Sequence, residues 1–136
     1  MKIIMLYGKS HCGKTSTLNL VYKDIYQASA NIIEQKKYLR SDRDDDFECI
    51  IRFRNKNIAF FTMGDYSCCL LEAFKRFVAK CDILICACND RFVKPRKQMR
   101  NNIDVVIEKQ IADSHNQVSC ELANNSDKEK IINSIT

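Results

Sequence analysis

Eight consecutive residues, Gly8, Lys9, Ser10, His11, Cys12, Gly13, Lys14 and Thr15, satisfy the pattern G-x-x-x-x-G-K-[ST] at every fixed position. Each fixed residue type has a task in holding a polyphosphate. Gly8 and Gly13 permit backbone angles that a side chain would forbid. Successive backbone N–H groups can then turn inward around phosphate oxygens. A helix opening directly after the loop would present its positive end to the same anion. The Lys14 ammonium can reach the outer phosphates, and the Thr15 hydroxyl can bind Mg²⁺. The expected ligand-binding set is therefore Gly8, Lys9, Ser10, His11, Cys12, Gly13, Lys14, Thr15 and Ser16, with Lys14 also catalytic.

The chemistry needs a strand before the loop and a helix after it, and the pattern supplies both. Lys2 to Tyr7 is a short, nearly continuous apolar run that Gly8 ends, as suits a strand buried on both faces. After Gly13, Leu18, Tyr22 and Ile25 recur at helical spacing on one face. Ile32 to Leu39 reads as a second helix or an extension of the first, and Ser41 to Asp46 as a polar, acidic loop. From Phe47 to Arg54 the chain alternates: Phe47, Cys49, Ile51 and Phe53 face one way, Glu48, Arg52 and Arg54 the other. After a turn at Asn55 to Asn57, Ile58 to Phe61 reads as a buried strand forming an antiparallel hairpin with it.

Further along, a helix is expected from about Tyr66 to Lys80, with Leu70, Phe74, Phe77 and Val78 inward, and a strand from Ile83 to Ala87. Pro95, the one proline, marks a loop or a first helical turn. Ile103 to Ile111 carries helical spacing, Gln117 to Leu122 suits a last strand, and Asp127 to Ile135 a last helix. The order of elements implies one α/β domain over residues 1–136, layered α/β/α around a mostly parallel sheet of five strands.

Length and composition agree with a single compact domain. The chain has 136 residues, with 46% hydrophobic and 29% charged side chains, which bounds it to one core. No apolar run reaches the roughly 18 residues a bilayer span requires, and the amino-terminal segment lacks the basic lead and cleavage site of a secretory signal. The net charge of +5 is too mild to prove a nucleic-acid partner. Eight cysteines include no Cys-x-x-Cys pair, so zinc-finger spacing is absent and buried reduced thiols are expected. A cytoplasmic setting follows if the ligand is ATP or GTP.

With its loop between strand and helix, the chain resembles the P-loop NTPase superfamily, whose loop pattern is Walker A. The hairpin after the first helix makes it more similar to small Ras-like GTPases than to nucleotide kinases. The resemblance implies a sheet order of 2-3-1-4-5, with the nucleotide at the carboxyl ends of the strands, and Mg²⁺ as cofactor. It also implies a metal-holding Asp-x-x-Gly. Aligned on Gly64, that Asp position is Phe61, and the family's water-orienting glutamine falls on Asp65. Asp65 is thus the expected carboxylate for Mg²⁺ or the attacking water, beside Thr15; its alternative role is to cap the following helix. The family's guanine-reading Asn-Lys-x-Asp has no good counterpart, since Asn89, Asp90 and Arg91 follow the strand.

Several features admit more than one reading. The acidic run of Asp42, Asp44, Asp45 and Asp46 suits a solvated loop, or one member binds Mg²⁺. Arg91, Lys94, Arg96, Lys97 and Arg100 suit a solvated face, a lid over phosphates, or a dock for nucleic acid or an acidic protein. Cys12 stands beside a helix amino terminus, a setting associated with reactive thiols. Three functions are compatible with these residues: a slow Mg²⁺-dependent NTP hydrolase serving as a switch or regulator, a small phosphotransferase, and a nucleotide-binding module of weak catalysis. A protein partner completing the active site is expected for the first, and no membrane partner for any.

Overall fold

The computed structural model describes all residues except 10, 11, 29, 30, 41, 42, 65, 113–115 and 136, and the backbone alone of 40 and 43–45. The elements run β1 (Lys2–Gly8), α1 (Lys14–Gln27), β2 (Asn31–Arg40), β3 (Arg43–Phe53), β4 (Lys56–Phe61), α2 (Ser67–Phe77), β5 (Ile83–Asn89), α3 (Lys94–Met99), β6 (Ile103–Glu108) and α4 (Gln117–Asn133). The strands form one mixed sheet in the order β2-β3-β4-β5-β1-β6. β3 runs against both of its neighbours, and β4, β5, β1 and β6 are parallel. No helix among the described residues is long and apolar enough to cross a membrane.

Each face of the sheet is covered by helices. Leu18, Val21 and Ile25 of α1 and Ile131 of α4 pack with Phe47, Cys49, Ile51 and Phe53 of β3 on one face. Leu70, Leu71, Ala73 and Phe77 of α2 and Met99 of α3 pack with Ile50, Phe61 and Leu84 on the other. The alternation along β3 therefore sorts side chains as its pattern dictates, with Ile50 serving the second core. In α2 the inner face differs from expectation: Leu71 and Ala73 are buried, while Phe74 is half-buried and Val78 exposed. The β3–β4 turn is Arg54-Asn55, both at positive φ (51° and 64°), the backbone of a tight hairpin turn whose twist matches the strands.

The sheet corrects the expected five strands and the order 2-3-1-4-5. β5 stands between β4 and β1, where the first strand was expected to meet the hairpin. All seven of its residues are buried, as a strand covered on both faces with a neighbour at each edge requires. Two segments read as helical are strands. Residues 31–40 extend the hairpin as β2, and Ile103–Glu108 forms β6, where β-branched Ile103, Val105, Val106 and Ile107 favour a strand over the Ile103–Ile107 helical spacing. Conversely, Gln117 to Leu122 opens the single helix α4, capped by Asn116, whose side chain accepts from the Ser119 amide.

Candidate functional site

Two crossovers leave the middle of the sheet in opposite directions. From β1 the chain passes through α1 to β2 on one face; from β5 it passes through α3 to β6 on the other. Such a point of divergence opens a crevice at the carboxyl ends of the two strands, the usual place for a ligand in an open α/β sheet. Gly8 and Asn89 are register partners at those ends, and the Asp90 amide donates to the Gly8 carbonyl at 2.9 Å.

The motif loop begins at this crevice. Gly13 is the amino-terminal cap of α1 at φ 95°, a left-handed conformation that glycine adopts freely, and a Cβ there would stand 2.9 Å from Asn124 Oδ1. Gly8 differs from expectation: among the described glycines only Gly13 has positive φ. What glycine provides at position 8 is close approach, since a Cβ would lie 3.0 Å from both Cys12 Sγ and Lys109 Cβ. The first turn of α1 carries no acidic residue, and Gly13 has no side chain to cap it, so no side chain of the helix's own first turn neutralises its positive end.

Lys14 is only 6% exposed. Its ammonium donates to the Gly8 carbonyl at 3.1 Å and to the Lys9 carbonyl, and lies 3.8 Å from Cys12 Sγ. The charge is thereby held inside the loop. Lys9 and Ser16 are exposed and Cys12 is half-buried. Ser10, His11 and Asp65 lie outside the described residues; α2 itself starts after Tyr66 without a side-chain cap.

The carboxylate nearest the motif threonine is Asp46. Thr15 Oγ1 donates to Asp46 Oδ1 at 2.9 Å, and Thr62 Oγ1 donates to the same oxygen at 2.9 Å. Thr62 is fixed by the Phe47 amide, which donates to its hydroxyl at 2.9 Å. Asp46 is 7% exposed, and residues 43–46 belong to β3, which corrects the reading of that stretch as a loop; residues 41 and 42 of the expected loop lie outside the described residues. Because β3 is antiparallel, its first residues lie at the same sheet edge as the carboxyl ends of β1, β4 and β5. Thr15 and Asp46 together offer two hard oxygen donors, a set suited to Mg²⁺, which typically takes one or two protein oxygens alongside phosphate and water. Among the described residues no group of three or more His, Cys, Asp or Glu side chains converges on one point.

On the opposite side the loop rests on groups that sequence reasoning missed. Lys109, just beyond β6, pairs with Asp127 of α4 at 3.1 Å, the two side chains being 1% and 0% exposed. The Gln110 amide donates to Asp127 Oδ2 at 2.8 Å, Lys109 donates to the Gln110 carbonyl at 2.9 Å, and Lys130 lies 3.5 Å from Asp127 Oδ1. Thr17 donates to the Gly13 carbonyl at 2.8 Å and approaches Asn124 Oδ1 at 3.2 Å. Asn124, Asp127 and Ile131 follow helical spacing, so reading 117–133 as one helix would have placed all three on its inner face.

The basic residues divide. Arg96 lies over the Tyr7 ring at 4.4 Å and donates to the Tyr7 hydroxyl at 3.0 Å, which donates to the Asp90 carbonyl at 2.8 Å. Arg91, Lys94, Lys97 and Arg100 are exposed. Burial pushes the Cys88 thiol up to about 11, although the positive charges of Arg96 and Lys14 pull it down. Cys49, Cys81 and Cys86 are also buried and raised by desolvation, Cys49 to about 12 and Cys81 to about 11. Compared with known proteins, the chain matches no family model, no curated protein and no solved structure.

Proposed function

We propose that the chain binds a nucleoside triphosphate with Mg²⁺ and hydrolyses it slowly, acting as a switch or regulatory protein of the P-loop NTPase kind. The observation that carries this reading is the junction of β1 and α1. There a glycine-bounded loop encloses the Lys14 ammonium, and the hydroxyl of the next residue is bonded to a buried carboxylate. In this reading Lys14 and the loop amides stabilise charge on the transferring phosphoryl group while water attacks in line. Thr15 and Asp46 would hold Mg²⁺, which supplies further neutralisation of phosphate charge; Asp46 takes the metal-holding part that chain position suggested for Asp65. The water-orienting glutamine of the Ras-like pattern has no equivalent in the sequence, so turnover is slow unless a protein partner completes the site. ATP and GTP are both candidates, since Asn89 Oδ1 accepts from the Arg91 amide and the segment lacks the guanine-reading motif. A cytoplasmic location goes with either ligand.

Calorimetric titration with ATP, GTP and their diphosphates, with and without Mg²⁺, tests the reading. Lys14→Ala should weaken triphosphate binding about a hundredfold, equivalent to the roughly 3 kcal/mol of charge-assisted hydrogen bonds, while circular dichroism remains native. Equal binding by both proteins overturns the assignment. Single-turnover assays then sort the activity: phosphate release without an acceptor marks a hydrolase, acceptor-dependent transfer a phosphotransferase, and binding alone a module without catalysis.

A further inference from the structure

The sheet ends at β6, and that end is unlike the rest of the surface. Among the described residues β6 pairs only with β1, so its outer edge offers backbone groups to another chain. The Lys109 amide donates inward to the Tyr7 carbonyl; by alternation the amides of Val106 and Glu108 face outward. Beside this edge, between β6 and α3, runs a groove of about 550 Å³ lined by Val93, Arg96, Lys97, Arg100, Ile103 and Val106. Half of its lining is apolar, with Val93 74% and Val106 39% exposed, and half is cationic. Among the described residues none of the three lining cations pairs with a carboxylate.

We infer that this groove docks an acidic, extended peptide segment of a partner protein, which adds to the sheet as a strand beside β6. In an added strand alternate side chains share one face. Glutamates on the α3 face would lay their methylenes on Val106 and Ile103 and set their carboxylates against Lys97 and Arg100, as amphipathic side chains do. Main-chain pairing supplies affinity, and the basic lining selects acidic sequences. Charge alone would also suit a nucleic acid. The exposed apolar side chains and open backbone edge favour a peptide, and the groove lining contains no aromatic ring for bases to stack on. Arg96 joins the groove to the motif loop, because Tyr7, which it contacts, immediately precedes Gly8.

The inference stands apart from the nucleotide reading and is tested without nucleotide. The probe is a fluorescein-labelled, end-blocked peptide of alternating Glu and Thr, followed by fluorescence anisotropy at about 150 mM salt. Its comparators are the same peptide N-methylated at alternate residues and an oligothymidylate of equal charge. The acidic peptide should bind saturably, lose at least tenfold in affinity on N-methylation, and lose at least tenfold against the double variant Lys97→Glu/Arg100→Glu. Both substituted residues are exposed, and circular dichroism checks that the variant is folded. Absence of binding, indifference to N-methylation, or tighter binding of the oligonucleotide with the same sensitivity to charge reversal would each overturn the proposal.

Discussion

Buried polar groups flank the motif loop on two sides, and the two sets use their hydrogen-bonding capacity differently. On the β6–α4 side, Lys109 and Asp127 are sealed from water and meet each other, the Gln110 backbone and Lys130. Their charges are paired within the chain, although Asp127 Oδ1 is buried with no hydrogen-bond partner among the described residues. On the β3–β4 side, the half-buried Thr15 gives its one hydroxyl proton to Asp46, which leaves the lone pairs of its oxygen able to accept a cation. The first set reads as a brace holding Gly8 and Gly13 in place. The second is the set that the proposed Mg²⁺ site would use. Burial of charge is therefore a poor guide to function in this molecule; what distinguishes the two sides is that Asp127 meets two ammonium groups, whereas Asp46 accepts from two hydroxyls.

The largest expected effect tests the brace. Lys109→Met leaves the Asp127 carboxylate buried without its closest cation, and losing one partner of a buried pair typically costs about 3–5 kcal/mol. Urea denaturation should show that loss. Lys109→Met combined with Asp127→Leu should recover most of it, because the desolvated charge is gone. The folded double variant should still bind triphosphate within a fewfold of the parent. If it folds and binding is lost, the brace contacts ligand and the contrast between the two sides fails.

A smaller effect is expected from Asp46→Asn. The amide oxygen can still accept from Thr15 and Thr62, so the stability change should stay near 1 kcal/mol, the scale of one altered hydrogen bond. The carboxylate charge, however, is removed. In titrations the Mg²⁺-dependent part of triphosphate affinity should fall at least tenfold while Mg²⁺-free binding holds or rises. Unchanged Mg²⁺ dependence would show that Asp46 is as structural as Asp127.

The strand before the motif, the helix after it and the inward face of β3 were legible because each depends on local spacing. Lys2 to Tyr7 is an apolar run, Leu18 and Ile25 share one helical face, and Phe47 to Phe53 alternate. What surrounds the loop was not legible, because it depends on which strands become neighbours. Asp46 stood in a run of similar acids, and only the antiparallel course of β3 brings its first residues to the sheet edge where Thr15 lies. Lys109 and Asp127 are 18 positions apart, and their pairing requires β6, which local pattern assigned to a helix, and α4, whose first turns it assigned to a strand. The strand order was misread for the same reason. β5 and β1 are both apolar runs, and pattern alone does not decide which of them adjoins the hairpin.

The smallest effect uses a titrating thiol that feels the charge of Lys14. Cys88, near the carboxyl end of β5, has its pKa raised from an ordinary 9.0 to about 11 by burial, against the opposing pull of Arg96 and Lys14. A folded value above the unfolded one means that its stabilising contribution is complete below the unfolded pKa and is lost as pH rises through the folded one. Stability should thus fall between about pH 9 and 11, with Cys49 and Cys81, also raised, adding to the slope. Replacing Cys88 with Ala removes one titrating group, so the slope of unfolding free energy against pH should lessen by up to about 1.4 kcal/mol per unit. Urea midpoints measured across that range give both slopes. Lys14→Ala removes a charge that favours the thiolate, and in that background the alkaline limb of Cys88 should move to still higher pH. If neither substitution alters the limb, Cys88 does not feel the loop lysine, and the ammonium is not lodged inside the loop at the carboxyl end of β5.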